Sequence, residues 1–312
     1  MSPAIQVEQL RHPYGDRVAL NGLNLSVDGG QIFALLGPNG SGKTTLFRIL
    51  CTLLPPQSGT VKLLGLNVAK QQAAVRAAIG IVFQAASLDK KLTVLENIRC
   101  QATLYGLKGA ELRNRTDELM RQLGLTDRAN DFAETLSGGL RRRVELAKGM
   151  IHRPRLLLLD EPSTGLDPGA RADMWKYLQR LRDEFGVTVV LTTHILEEAD
   201  RADNIAIIDQ GQTVVTGRPD KLRDQAGEST ISIECDDAAS LSPAIEQQLN
   251  CPTSVVDRQI RLAPSAHHDV VGQLLSAFPN EIKSVRVGRP TLEDVFIAHT
   301  GHQFWQTAEQ DD

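Results

Sequence analysis

The residues best suited to chemistry crowd first into the stretch GPNGSGKTT, which begins at Gly37. Glycine gives up more conformational freedom on ordering than any other residue. Three glycines around one lysine therefore ask for a ligand that needs close backbone approach. Gly37, Gly42, Lys43 and Thr44 meet the spacing G-x-x-x-x-G-K-[ST] without a mismatch, and that spacing suits a polyphosphate. The loop Gly37, Pro38, Asn39, Gly40, Ser41 and Gly42 would turn backbone N–H groups inward around phosphate oxygens. Lys43 would neutralise the β- and γ-phosphates, and the Thr44 hydroxyl would hold Mg²⁺. A helix beginning near Lys43, with Thr45 in its first turn, would aim its N-terminus at the same anion.

A second group lies in LLLLDEPSTGLD, where Asp160 ends an apolar run and Glu161 follows it. A carboxylate at the end of a buried strand is costly unless something compensates it. Mg²⁺ shared with the phosphates would compensate Asp160. Glu161, beside the terminal phosphate, would orient and partly deprotonate an attacking water. The plainer alternative is a helix-capping acidic pair before Pro162. A third group is ETLSGGLRRRVELAKGM, where Leu140, Val144 and Ala147, with Ile151 just after, recur at helical spacing. A helix is expected to start near Gly138, behind Ser137 and Gly138–Gly139, and its N-terminus is a second anion-binding end. The run Arg141–Arg143 reads as a solvated face.

Strands must carry these groups. The runs IFALLG, IGIVFQ, LLLLDEP, VTVVLTTH and IAIID are short and continuously apolar, as in a parallel sheet covered on both faces. Helical patterns separate them, which predicts an α/β sheet. Four runs end at Gly37, Gln84, Asp160 and His194. Ligands of open α/β sheets bind beyond the carboxyl ends of the strands, so these ends point at one ligand. From about residue 87 to residue 150 the pattern is helical, as in an inserted subdomain. Beyond Gly217–Pro219 the segments STISIEC, SVVDRQIRLAP and IKSVRVG alternate like half-buried strands. They predict a small α+β domain over about 225–300, followed by a tail at 301–312. His267 and His268 read as a surface loop rather than a metal site.

Composition narrows the class. Net charge is −4 and the pI near 6.0, so no broad attraction to nucleic acid is expected. No apolar run approaches the ~20 residues that cross a bilayer, and MSPAIQVEQL lacks the basic start and apolar core of a signal peptide. Cys51, Cys100, Cys235 and Cys251 have no zinc spacing and read as reduced thiols.

Together, the loop at Gly37, LSGGL ahead of LLLLDEP, then STGLD and TTH stand in the order seen in ATP-binding-cassette (ABC) ATPases. The chain resembles that family over roughly residues 4–220. SLDKKLTVLENI, SGGLRRRVELAKGMIHRP and PTLEDVFIAHTG extend the likeness to about residue 301, toward the ATPase subunits of daunorubicin-resistance type drug exporters. The resemblance implies a P-loop NTPase fold with an inserted helical subdomain and a small C-terminal domain. It implies ATP and Mg²⁺ as ligands, with Tyr14 stacking on adenine, Gln84 touching Mg²⁺ or water and sensing the γ-phosphate, and His194 bonding that phosphate. Thr44, Gln84 and Asp160 would be the metal side, and Glu161 and His194 the catalytic one. Ser137, Gly138 and Gly139 would close on ATP held by a second subunit, with Asp167 at the seam. The implied partners are a second ATPase copy, as a homodimer, and a separate integral-membrane permease on whose cytoplasmic face the chain would sit. A nucleic-acid- or ribosome-associated cassette is the rival, but no paired zinc cysteines or second cassette accompany the loop. The family commonly carries Gln in the last place of LSGGQ; Leu140 stands there instead, which bears on rate rather than on the site itself.

Overall fold

The computed structural model describes residues 3–226, 229–256, 259–262 and 270–304. Two long strands, β1 (Ile5–Tyr14) and β2 (Arg17–Val27), precede the wholly buried β3 (Ile32–Leu36) and helix α1 (Lys43–Leu50). Then come β4 (Ser58–Leu63), the short β5 (Leu66–Asn67), α2 (Gln72–Ala78) and β6 (Ile79–Val82). The next stretch is helical, with α3 (Val94–Leu104), α4 (Gly109–Gln122) and α5 (Gly138–Met150). A capping box starts α3: Thr93 accepts from the Glu96 N–H while Glu96 accepts from the Thr93 N–H. After it run β7 (Leu156–Asp160), α6 (Pro168–Phe185), β8 (Thr188–Thr193), α7 (Leu196–Ala199), β9 (Asn204–Asp209) and β10 (Gln212–Gly217). Helix α6 has Asp167 as its N-cap, Pro168 in its first turn and Gly186 in the left-handed conformation at its end.

The five apolar runs form the core of a six-stranded sheet in the order β10-β9-β3-β8-β7-β6. Strands β9, β3, β8, β7 and β6 are parallel. A second sheet, β2-β1-β4-β5, which none of the five apolar runs announces, is antiparallel. Between the two sheets lies a core that includes Ile5, Leu23, Val61, Phe33, Leu35, Leu46, Phe47, Leu156, Leu158 and Val190. Each such side chain is worth about 1.5–3 kcal/mol when buried.

Side chains alternate along a strand. Leu156 and Leu158 enter this core, so Asp160 emerges on the same face at the strand's carboxyl end. On β8, Val190 enters the core and Thr192 emerges beside it, and Asp160 pairs in register with Thr192. The order of the strands thus delivers these groups to one edge.

The chain divides into two compact units, Met1–Thr216 and Gly217–Asp312. In the second, α8 (Pro219–Gln225) is followed by β11 (Thr230–Cys235), α9 (Ala238–Leu249), β12 (Thr253–Val256), β13 (Gln259–Leu262), α10 (Val270–Ala277), β14 (Ile282–Gly288) and α11 (Leu292–Thr300). Its sheet runs β12-β13-β11-β14, and Ile233, Ile245, Ile260 and Leu274 form its own core. Within SVVDRQIRLAP the described residues belong to two antiparallel strands, β12 and β13, with Val256 paired to Gln259. His267 and His268 lie outside the described residues.

Candidate functional site

The loop after β3 is built around a close approach. Gly42 has φ +107, and a Cβ there would stand 2.6 Å from the Ala19 carbonyl oxygen, so only glycine fits. Ser41 is 3% exposed, and its Oγ is buried without a hydrogen-bond partner. Lys43 opens α1 and turns its ammonium back to the loop, donating to the carbonyls of Gly37 (2.6 Å) and Pro38 (2.9 Å). Burial holds the Lys43 pKa below its ordinary value, and the nearby charges of Glu161 and Asp160 oppose that.

A cavity of 380 Å³ opens over this loop, lined by Tyr14, Arg17, Ala19, Asn39, Gly40, Gly42, Lys43, Thr44, Thr45 and Glu161. Eight of these ten were candidates from sequence; Arg17 and Ala19 were not. Tyr14 is 46% exposed at the end of β1, with its ring edge-on to buried His12 at 4.8 Å between centroids. Arg17 pairs with Tyr14 across the hairpin. Three residues after a Tyr in YGDR, an arginine carries no signal that separates it from a surface charge.

Glu161 is the point where the other strand ends meet. Gln84 Nε2 donates to Glu161 Oε2 at 3.1 Å, and Thr164 Oγ1 reaches the same oxygen at 3.3 Å. His194 Nδ1 stands 3.1 Å from Glu161 Oε1. The Glu161 N–H donates to Thr192 Oγ1 (2.9 Å), and that hydroxyl donates to Asp160 Oδ1 (2.6 Å). Thr192 therefore fixes both acids, a role that sequence reasoning did not give it. Glu161 has φ +40, in the left-handed region that non-glycine residues enter at a cost. The acidic pair is not a helix cap: the Asp160 carboxylate accepts from Thr192 and that of Glu161 from Gln84 and Thr164, all side-chain donors rather than helical N–H groups.

Asp160 is buried. Burial raises its pKa above the ordinary carboxylate value; the Thr192 bond, Lys43 and Arg48 act against this, and Glu161 acts with it. A raised pKa means that ionising Asp160 costs folding free energy once pH exceeds the usual carboxylate range, and costs nothing below it. Asp160→Asn without nucleotide is expected to melt higher than the wild type at pH 7.5, with the gain shrinking toward pH 4. One kcal/mol in a chain of this size moves Tm by about 2–4 °C. Thermal scans across pH check this, and a lower Tm at neutral pH overturns it.

The remaining candidates are brought together elsewhere. Ser137 caps α5 and accepts from the Leu140 N–H at 3.3 Å. A Cβ on Gly139 would lie 2.8 Å from Ala170 Cβ, and Asp167 caps α6 by accepting from the Ala170 N–H at 2.9 Å. So the Ser137–Gly139 turn abuts the start of α6, and none of its residues lines the Lys43 cavity. Leu140 is half-buried. The arginine run is not a solvated face: Arg142 is 7% exposed, and Arg143 donates to the Leu123 carbonyl and to Asp173.

The Thr44 hydroxyl, Asp160 carboxylate and Gln84 amide oxygen, the metal side expected from sequence, are each hard oxygen donors of the kind Mg²⁺ takes. Among the described residues, no group of three His, Cys, Asp or Glu side chains could hold a metal.

Comparison with known proteins gives the same answer as this geometry. The family described as ABC transporter matches residues 20–164, a span that includes the loop, Ser137–Gly139, Asp160 and Glu161 but ends before His194. Daunorubicin resistance ATP-binding protein DrrA3 of Streptomyces coeruleorubidus is 40% identical over 305 residues, covering 96% of either chain. Nod factor export ATP-binding protein I of Cupriavidus metallidurans is 36% identical, covering 97% of this chain and 99% of that one. Among solved structures, the dimeric post-hydrolysis state of the ATP-binding cassette MJ0796, bound to ADP and Pi, superposes with a TM-score of 0.63 at 28% identity, covering 69% of this chain and 98% of that one. The phosphate loop, the acids at the end of β7 and a near full-length relative converge: this chain belongs to the ABC transporter family, as an ATP-binding and ATP-hydrolysing cassette.

Proposed function

We propose that the chain powers export through a separate membrane permease, with two copies closing head to tail on two ATP molecules. The observation that carries this reading is the meeting of Gln84, His194 and Thr164 on Glu161, beside the Lys43 loop. The division of candidates between two places supports the two-copy arrangement. A chain whose Ser137–Gly139 turn lies outside its own cavity needs a second copy to bring that turn to the nucleotide. Relatives whose names record drug resistance and export support the direction of transport. Among the described residues no helix is long and apolar enough to cross a membrane, which fits a subunit that works through a partner.

In this reading Tyr14 stacks on adenine, worth about 1–3 kcal/mol, and Lys43 with the loop N–H groups grips the phosphates. Thr44, Asp160 and Gln84 would hold Mg²⁺, which would supply charge neutralisation on the phosphates when bound. Glu161 takes the proton of the attacking water. His194 bonds the γ-phosphate and holds the Glu161 carboxylate in place. Charge-assisted hydrogen bonds are worth about 1.5–3 kcal/mol each. A shift from 1:99 to 99:1 takes about 5.5 kcal/mol, so a few bonds to the γ-phosphate suffice to close the pair, and their loss on hydrolysis opens it.

Ser137→Arg tests the arrangement. One copy is expected to bind ATP as before, because the residue is outside the cavity, while the ATP-dependent dimer of a Glu161→Gln background disappears on size-exclusion chromatography. An undiminished dimer peak counts against the head-to-tail closure.

A further inference from the structure

Three charged residues stand along one stripe of α5 at Arg142, Glu145 and Lys148, spaced i, i+3, i+6. All three are spent on the segment that follows β6. Arg142 Nη1 donates to the Phe83 carbonyl (2.8 Å) and to Glu145 Oε2 (2.9 Å), while Nη2 reaches the Gln84 carbonyl (3.4 Å). Glu145 Oε1 accepts from the Ser87 N–H (2.5 Å), and Lys148 Nζ donates to the Ser87 carbonyl (2.6 Å). Arg142 is 7% exposed and Glu145 4%.

Burial works against both charges, pulling Arg142 down and pushing Glu145 up. A well-packed apolar pair would serve stability as well or better. What an apolar pair could not do is hold three backbone groups of one loop in a fixed register. The forked guanidinium does that by reaching two successive carbonyls and a carboxylate at once.

The two ends of this brace matter separately. Gln84, at one end, donates to Glu161 in the cavity of its own chain. Ser137, at the other, caps the same helix about 7.5 Å along the axis from Arg142. We infer that Arg142 and Glu145 are positioning residues that lock the Phe83–Ser87 loop to α5, so that the Ser137 end presented to a partner follows the state of Gln84 in the chain's own nucleotide site. This rests on the head-to-tail reading proposed above. The coupling is carried by polar contacts of fixed geometry, and lysine at 142 keeps the charge but loses the fork.

The test uses the full chain in a Glu161→Gln background, titrating dimer formation with Mg-ATP. Arg142→Lys is expected to weaken the ATP-bound dimer at least tenfold. In a Ser137→Arg background, where one copy binds alone, Arg142→Lys should leave ATP affinity within about twofold. Lys148→Met, a half-buried side chain that removes one hold on the same loop, should weaken the dimer in the same direction by about threefold. A folded Arg142→Lys protein with unchanged dimer affinity overturns the inference. So does a parallel loss of single-copy ATP affinity, which would make the role a general structural one. Should Arg142→Lys fail to fold, Lys148→Met decides alone, and an unchanged dimer there overturns it. If Glu161→Gln itself forms no ATP-dependent dimer, it is the head-to-tail reading that falls first.

Discussion

Glu161→Gln is expected to bind Mg-ATP with near wild-type affinity and to hydrolyse it at least about 10²-fold more slowly, the scale of a lost general base. The substitution changes little else. Glutamine fills the same volume, and its amide oxygen still accepts from Gln84 and Thr164, which reach the carboxylate at 3.1 and 3.3 Å. The backbone bond from residue 161 to Thr192 is untouched. What is lost is the capacity to take a proton. Steady-state phosphate release and equilibrium binding of ATP, measured side by side, separate the two effects. Turnover within a fewfold of wild type would remove Glu161 from the base role and leave it as a bracket for Gln84 and His194.

The second large effect belongs to Lys43. Lys43 is 5% exposed and its ammonium is already fixed at the loop mouth by the Gly37 and Pro38 carbonyls, so little ordering is left for the nucleotide to impose. Lys43→Met keeps an unbranched apolar stem in the same space and removes the charge. The loss of two charge-assisted bonds to phosphate, at about 1.5–3 kcal/mol each, is expected to weaken ATP binding by at least about 10²-fold. Binding of a fluorescent ATP analogue reads this directly, and circular dichroism of the free protein checks that the fold survives. Retained micromolar affinity would show that the loop N–H groups hold the phosphates without Lys43.

Much of the site was legible because its logic is local. A glycine-rich loop between a buried run and a helix, and acids at the end of another buried run, are patterns of adjacent residues. The parallel strands were legible for the same reason, since β3, β6, β7, β8 and β9 are each continuous apolar words. The antiparallel sheet was not. β1 should alternate, but its register shifts between Val7 and Leu10 and again near Arg11 and Pro13, and Gln9 has φ +49. Each bulge breaks the period of two that sequence reading depends on. Thr192 and Arg17 were missed because their roles exist only across strands. Arg142 was misread because a triplet of arginines looks the same whether its middle member faces water or two carbonyls.

The turn after β7 carries two penalties at adjacent positions, a carboxylate taken out of water at Asp160 and a left-handed backbone at Glu161. A library of this gene screened only for survival of heating would drift away from both residues, toward amides and glycine, and would gain endurance. The hardiest clones from such a screen would be sound folded proteins with a dead engine.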